Sequence, residues 1–520
     1  MKLPDRPIAH RPVQSRAAWL LVLAWGAGCA SAVAQEAAEG AAAPRLPSSW
    51  LEPRISVQHT ATSNVRLNDT QRSDQVTEVT PGLRWVGKTA RIQGFFDYSL
   101  TAIHYAHAAD AQHLQHHLNA NATVELVDQR FFADVAGVVT RQPLSVFDTP
   151  AGIPVLRPDD VQTSSFRVSP YLRGRLGPAA AYEARYTVQD TRADAERSRA
   201  LLTQEVLLRL DNRHSGQSLA WVAEARQQAL DYSQGRRIDT STLRASLAYA
   251  VTPQVVMTGI VGAESTNQLS PVRETSSIVG LGATWRPSPR TRLSVERERR
   301  YFGHAHDVTL EHRTGRTVWR YNDRQGISNG RSAQSASLGS LFDLLDGMYG
   351  ATEPDPVRRT QRVLAEIERL GLPQDLLVPD DFLQSASTVQ RMQQLSLALL
   401  GRRSMVTLAA TRSDSRRLDD TALSLGDDFD ANTRIRRHGW NLLLAHRLTP
   451  HTSVNASLAE QRSVGTGTGL QTRSRSLRLG WVTRVAERTS LGLQVRRIVS
   501  DGAARPYNES ALVATLTHRF

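Results

Sequence analysis

The residues with the plainest chemical potential are histidines and aspartates. The stretch "HYAHAADAQHLQHHL" carries His104, His107, His113, His116 and His117, some at spacings that metal ligands use. "GDDFD" at 426 to 430 has the carboxylates to hold calcium, and "TSNVRLNDTQRSD" (62 to 74) is a polar turn with incidental cation affinity. His304, His306 and Asp307 could act as the Asp/His pair of a membrane-barrel hydrolase. None of these patterns is specific. Five histidines at a strand–loop–strand junction are more often surface residues, and the acidic loop more naturally meets solvent, or divalent ions that bridge lipopolysaccharide. No His-x-x-Glu-His, Gly-x-Ser-x-Gly or P-loop pattern occurs. The expectation is therefore no enzyme, no metal site and no cofactor.

Arginine is the second chemical feature. The 520 residues carry a net charge of +13, and four basic residues and one acid fall within 1 to 34, which leaves +10 for the remainder. Lysine occurs only at Lys2 and Lys88, so the positive charge is almost wholly guanidinium, a planar fork suited to carboxylates and phosphates. The arginines are spread along the chain instead of gathering with stacking aromatics or a recognition helix, which sets nucleic acid aside.

The elements that position these groups alternate with a period of two. "AAYEARYTVQD" puts Tyr182, Ala184, Tyr186 and Val188 opposite Glu183, Arg185, Thr187 and Gln189, and "GWNLLLAHRLT" sets Trp440, Leu442 and Leu444 against Asn441 and Arg447. "SSIVGLGATWRP", "SLRLGWVTR" and "RTVWRYNDR" read the same way. Such runs exceed the five or six residues usual for a soluble strand and suit a tilted membrane crossing. If the polar face lines a lumen, Arg185, Arg320, Arg324, Arg447 and Arg478 line it and favour anionic sugars. The alternative is that these arginines solvate strand ends or meet anionic lipopolysaccharide.

Connection lengths sharpen the picture. Short links with turn chemistry fall at 87 to 89, 128 to 129, 177 to 179, 213 to 216, 252 to 253, 287 to 289, 313 to 315, 401 to 403, 449 to 450 and 486 to 487. Mostly longer ones alternate with them, at 61 to 75, 107 to 113, 142 to 161, 191 to 199, 232 to 236, 266 to 274, 329 to 384, 416 to 431, 463 to 470 and 501 to 505. One link, near Gly303, is tight. Short turns at one rim and long loops at the other are the pattern of an all-β transmembrane antiparallel barrel of about 22 strands (18 to 24), spanning 51 to 520. The chain ends in "ALVATLTHRF", where Leu512, Leu516 and Phe520 share a face and resemble the terminal signal read by barrel-assembly machinery. With no water in the hydrocarbon layer that last strand must pair, and the partner expected is "PRISVQHTA" (53 to 61).

The N-terminus reads as a secretory signal. Basic residues precede "AAWLLVLAWGAGCASAVA", and Ala32 and Ala34 give a cleavage site after 34, followed by a linker over 35 to 50. An uncleaved anchor and lipidation at Cys29 are the alternatives. Exported and without a long apolar helix, the chain is expected in a Gram-negative outer membrane, among its lipid and lipopolysaccharide.

Three segments, "LGATWRPSPRTRLSVERERRYFGHAHDVTLEHRTGRTVWRYNDRQGIS" (281 to 328), "LFDLLDGMYGATEPDPVRRTQRVLAEIERLGLP" (341 to 373) and "RMQQLSLALLGRRSMVTLAATRSDS" (391 to 415), together resemble outer-membrane proteins associated with PEP-CTERM/exosortase exopolysaccharide systems. The resemblance implies a barrel tied to exopolysaccharide production and export, with the polysaccharide and its synthesis proteins as partners. It assigns no catalytic residue. A conduit is the first expectation, a non-conducting scaffold or matrix anchor the second, and a barrel enzyme the third. Within the long connection, Asp355 can cap a helix that Pro356 begins and Gly371 ends, with Val363, Ile367 and Leu370 as its apolar stripe, and "LFDLLDGMYG" adds a second helical piece. Loops of this length are uncommon unless they bind or cover something, so 329 to 384 is expected as a lid or plug at the outer mouth, or else as a projecting adhesive loop.

Overall fold

A computed structural model describes residues 49 to 520 except 108–112, 144, 148–159, 195–199, 213–217, 234–235, 329–340, 350–352, 354, 371–385, 419–427 and 503–505. The signal peptide, Cys29 and Gly371 lie outside the described residues. The strands are β1 (Ser49–Thr62), β2 (Asp74–Lys88), β3 (Ile92–Tyr105), β4 (His113–Val127), β5 (Phe131–Pro143), β6 (Asp160–Leu176), β7 (Ala180–Ala193), β8 (Leu201–Asp211), β9 (Leu219–Tyr232), β10 (Ile238–Thr252) and β11 (Val255–Thr266). They continue as β12 (Glu274–Ser288), β13 (Thr291–Arg300), β14 (Gly303–Arg313), β15 (Thr317–Ser328), β16 (Thr388–Leu400), β17 (Ser404–Arg417), β18 (Arg434–Arg447), β19 (Thr452–Thr466), β20 (Gln471–Ala486), β21 (Thr489–Gly502) and β22 (Tyr507–Arg519). Two helices, α1 (Leu341–Tyr349) and α2 (Pro356–Arg369), lie between β15 and β16.

Each strand pairs antiparallel with its sequence neighbours, and β22 closes on β1 from Arg54↔Arg519 to Thr62↔Ala511. The Phe520 amide donates to the Pro53 carbonyl at 3.0 Å, so pairing continues to the last residue. This closed sheet of 22 strands is the expected architecture. It has no free edge, which satisfies the backbone without water. The first strand begins at Ser49, two residues before the expected barrel start. All ten expected short links fall between consecutive strands at one rim, and the long ones at the other.

The two faces follow the period of two. Leu512, Leu516 and Phe520 face outward and are 55%, 47% and 63% exposed, with Leu479, Leu493 and Val495 beside them on the same wall. Near the short-turn rim, Trp85, Phe131, Tyr182, Trp221, Tyr249 and Trp285 turn to the same outer face, the place of an interfacial aromatic girdle. No helix among the described residues is long and apolar enough to cross a membrane.

Candidate functional site

The lumen holds the protein's own helices. α2 starts as its sequence directs: Asp355 Oδ1 accepts the Arg358 amide at 3.1 Å, and Pro356 occupies the first turn. Its stripe of Val363, Ile367 and Leu370 is fully buried. α1 packs beside it through Arg359 Nε to Asp346 Oδ1 at 2.7 Å, while the Arg362 guanidinium lies 4.5 Å from the Tyr349 ring centre. Together Leu345, Val363, Ile367 and Leu370 pack on Met405, Leu443 and Ala445 of β17 and β18. Leu364 meets Val86 of β2, with Trp50 and Phe95 around it.

Polar groups on the wall finish the dock. The last carbonyls of a helix have no partner within it. Here Ser453 Oγ donates to the Arg369 carbonyl at 3.0 Å, and Asn455 Nδ2 to that of Leu370 at 3.4 Å. Gly480, opposite Asn455 on β20, makes the room: a Cβ there would stand 2.5 Å from Asn455 Oδ1.

The receiving residues sit near the ends of β2, β16 and β18 and the starts of β1, β17 and β19, all at the short-turn rim. The helices are thus far from the outer mouth, the expected place for a lid. From Thr388 to Leu400 the wall descends 12 residues, about 40 Å along the strand. α1 and α2 therefore lie about one strand length from the rim where β15 ends and β16 begins.

A second closure lies at the loop rim. The Val146 amide donates to Asp428 Oδ2 at 2.6 Å, and Ser145 Oγ to Oδ1 at 2.8 Å. Phe147 then packs with Phe429, Ile435 and Ala386. This joins the β5–β6 connection to the β17–β18 connection, twelve strands away one way and ten the other around a ring of 22, so it spans the mouth. Of the "GDDFD" segment, Gly426 and Asp427 lie outside the described residues, and the Asp428 carboxylate is occupied by this latch. Beside the tight β13–β14 link, Tyr301 hydroxyl donates to Gln268 Oε1, and burial, then the Glu264 carboxylate, raises its pKa above the ordinary phenol range.

The five lumen candidates lie on inward-facing register positions. Arg185 binds Asp134 at 2.6 Å and Glu183 at 2.8 Å and lies 3.9 Å over Tyr171. Arg320 pairs with Glu311 at 3.2 Å, and a Cβ on Gly347 of α1 would stand 3.4 Å from its guanidinium. Arg324 is 3.9 Å from Asp307. Arg447 is at the short-turn rim, donating to the Arg402 carbonyl at 3.2 Å. Arg478 stands opposite Arg496, whose own carboxylate is Glu509 at 2.7 Å, and Arg478 has no salt bridge among the described residues.

Sequence reasoning missed the carboxylates that answer these cations. Asp97 takes Arg54 at 2.6 Å and Arg84 at 2.8 Å; Glu296 takes Arg244 at 2.6 Å, with Glu298 beside it; Glu264 takes Arg300. The alternation in "VERERR" (295 to 300), which puts Glu296, Glu298 and Arg300 on one face, was the available signal. Among the described residues the lumen wall is therefore of mixed charge, with most of these guanidiniums paired and Arg447 and Arg478 left without a carboxylate.

The histidines do not converge. His107 bonds Asp74 at 2.9 Å, His116 bonds Tyr98 on the outer face, and His117 points to the other side. His306 reaches outward to Asp323 at 2.9 Å, whereas Asp307 points inward to Arg324, so the proposed Asp/His pair is split across the wall. No group of metal-binding side chains occurs among the described residues.

No protein-family model matches the chain, and no curated protein does. Solved structures do. The FrpB iron transporter of Neisseria meningitidis (F5-1 variant, apoprotein) matches at 9% identity and a TM-score of 0.51, covering 90% of this chain and 81% of that one. The ferric enterobactin receptor PfeA of Pseudomonas aeruginosa matches at 10% identity and a TM-score of 0.46, with 90% and 80% covered. The siderophore receptor PiuA of Acinetobacter baumannii gives 9% and 0.45, with 90% and 82% covered. At such identities the first likeness speaks for the fold alone: the chain has the fold of an outer-membrane β-barrel.

Proposed function

We propose that this protein is an exported outer-membrane conduit of exopolysaccharide machinery, shut at rest by its own α1–α2 segment. The observation that carries the reading is the docking of α1 and α2 against inward-facing side chains at the short-turn rim. The segment is tethered at both ends to the loop rim, so it can be drawn from the lumen without leaving the chain. A wall of paired arginines and carboxylates, with Ser453, Ser457, Asn441 and Gln394 turned inward, suits a hydroxyl-rich polymer. Among the described residues, Arg447 and Arg478 are the lumen candidates without a carboxylate, left to favour an anionic sugar. The segments over 281 to 328, 341 to 373 and 391 to 415 supply the exopolysaccharide context through their resemblance to PEP-CTERM/exosortase-associated barrels. The FrpB likeness supports the barrel and carries no argument for iron as cargo. Signal-peptide export over 1 to 34, assembly through the Leu512, Leu516 and Phe520 face, and the absence of catalysis belong to the same reading.

The full burial of Leu345, Val363 and Ile367 favours a second reading, a permanently filled barrel that anchors matrix. Planar-bilayer recording decides between them. Excising 341 to 370 should raise single-channel current severalfold, and the polymer should appear in the medium of cells carrying the wild-type gene and be retained inside the deletion strain. Unchanged current, with unchanged polymer, overturns the conduit.

A further inference from the structure

The outer wall carries a feature that the lumen does not. On the loop-side halves of β17 to β21, eight arginines face outward: Arg412, Arg416, Arg434, Arg436, Arg462, Arg473, Arg475 and Arg497, against three carboxylates, Asp414, Glu460 and Asp501. Register aligns Arg412, His438, Arg462 and Arg473 in one row across four strands, neighbours about 4.8 Å apart. Like charges directly opposite one another destabilise a sheet.

The local carboxylates do not resolve this. Asp414 is engaged by Arg434, and Glu460 by Arg473 at 2.8 Å and Arg475 at 3.2 Å. Arg412, Arg436 and Arg462 have no salt bridge among the described residues. Arg462 Nε is also buried without a hydrogen-bond acceptor. A buried N–H without an acceptor is costly, and one that stands among cations suits an anion.

Position identifies the kind of anion. Trp440, outward and one outward residue below His438, marks an interface level, and the leucines beneath it, Leu444, Leu458 and Leu477, are on the same exposed face. Six residues below the Arg462–Arg473 pair, Ala456 and Leu479 belong to an outward apolar groove of about 520 Å³, also lined by Val454, Leu493 and Val495. Six residues are about 20 Å of strand, or about 15 Å of depth at the usual tilt, which is the hydrocarbon thickness of one leaflet. We propose that Arg412, Arg436 and Arg462 bind the phosphates of a phosphorylated, multiply acylated glycolipid whose chains run down to this groove. The site rests on the outer-membrane reading of the wall and is independent of what the lumen conducts.

Native mass spectrometry of the full-length barrel in detergent, titrated with bisphosphorylated lipid A, tests it. Wild type should hold an adduct, and the Arg412→Gln/Arg436→Gln/Arg462→Gln variant should bind about tenfold or more weakly, from the loss of three charge-assisted contacts. Lysine at the same three places keeps the charge but loses the fork, and should bind at an intermediate level. Arg192→Gln, outward on β7, should bind as wild type does. Far-UV circular dichroism of each variant checks that the barrel has formed. Equal binding by the triple-glutamine variant, equal binding of dephosphorylated lipid A, or equal competition by phosphatidylglycerol overturns the site. A barrel that needs no detergent would instead overturn the membrane reading on which it stands.

Discussion

Several arginines inside the barrel are locked to carboxylates of the wall, whereas three in the outer patch are not, although Arg434, Arg473 and Arg475 beside them are. Inside, Arg54 and Arg84 share Asp97, Arg185 has Asp134 and Glu183, Arg300 has Glu264, and Arg496 has Glu509. Outside, Arg412, Arg436 and Arg462 stand in a row or beside it with no such partner. The lumen is crowded by helices and loops, so a charge there loses water and needs a fixed counter-charge from the protein. The outer wall faces material that is itself charged at the interface, and its counter-charge can come from the membrane. The same side chain therefore reports structure in one place and a ligand in the other.

The comparison breaks most visibly at Arg496 and Glu509, both almost fully buried and joined at 2.7 Å and 3.1 Å, with Thr62 Oγ1 also donating to Glu509. Arg496→Ala leaves a buried carboxylate with the hydroxyl alone, and should cost about 3–5 kcal/mol of barrel stability in urea unfolding from detergent. Replacing both by methionine should recover most of that loss, since the penalty belongs to the orphaned charge. A single variant as stable as wild type would show that water reaches this part of the lumen.

Next comes the helix dock, where apolar contact replaces charge. Ile367→Ala removes a fully buried side chain from the face that meets Met405 and Leu443 and should cost about 2–5 kcal/mol of docking. The strands should keep their own stability, because α1 and α2 donate nothing to the ladder. Limited proteolysis between 341 and 370 reads the docking separately from barrel unfolding. Cleavage that appears only together with unfolding of the strands would show that the helices and the wall form a single unit.

What could be read from sequence follows from the range of the interaction. Strand count, both rims and the closing pair depend on period-two alternation and on turn residues within a few positions of each other, and these were legible. So was the start of α2, because Asp355 and Pro356 act on the next turn. The resting place of α2 was not: the short links at 87 to 89, 401 to 403 and 449 to 450 put Val86, Met405, Leu443 and Ser453 at one rim, but no local pattern states that they receive a helix from a connection that starts at the other rim. Partners such as Arg244 and Glu298, 54 positions apart, are likewise set by register across intervening strands. The latch from Ser145 to Asp428 lies furthest from view, since both members come from loops 283 positions apart. The outer arginine row was half legible, for "RIRRHGW" puts Arg434, Arg436, His438 and Trp440 on one face.

The smallest effect is expected at the outer counterpart of the buried pair. Arg434 donates to both oxygens of Asp414, the same fork geometry as Arg496 on Glu509, but its side chain is 48% exposed and that of Asp414 22%. Solvent screens such a pair, and freeing either member returns it to water at little cost. Arg434→Ala should therefore change unfolding in detergent by about 0–1 kcal/mol, and less as salt is raised. It should also release Asp414, which stands directly opposite Arg436 and would then compete for that guanidinium. Loss of lipid A affinity from Arg434→Ala without loss of stability would place the outer arginines in the service of a ligand. A stability loss near that of Arg496→Ala would erase the distinction between the two walls.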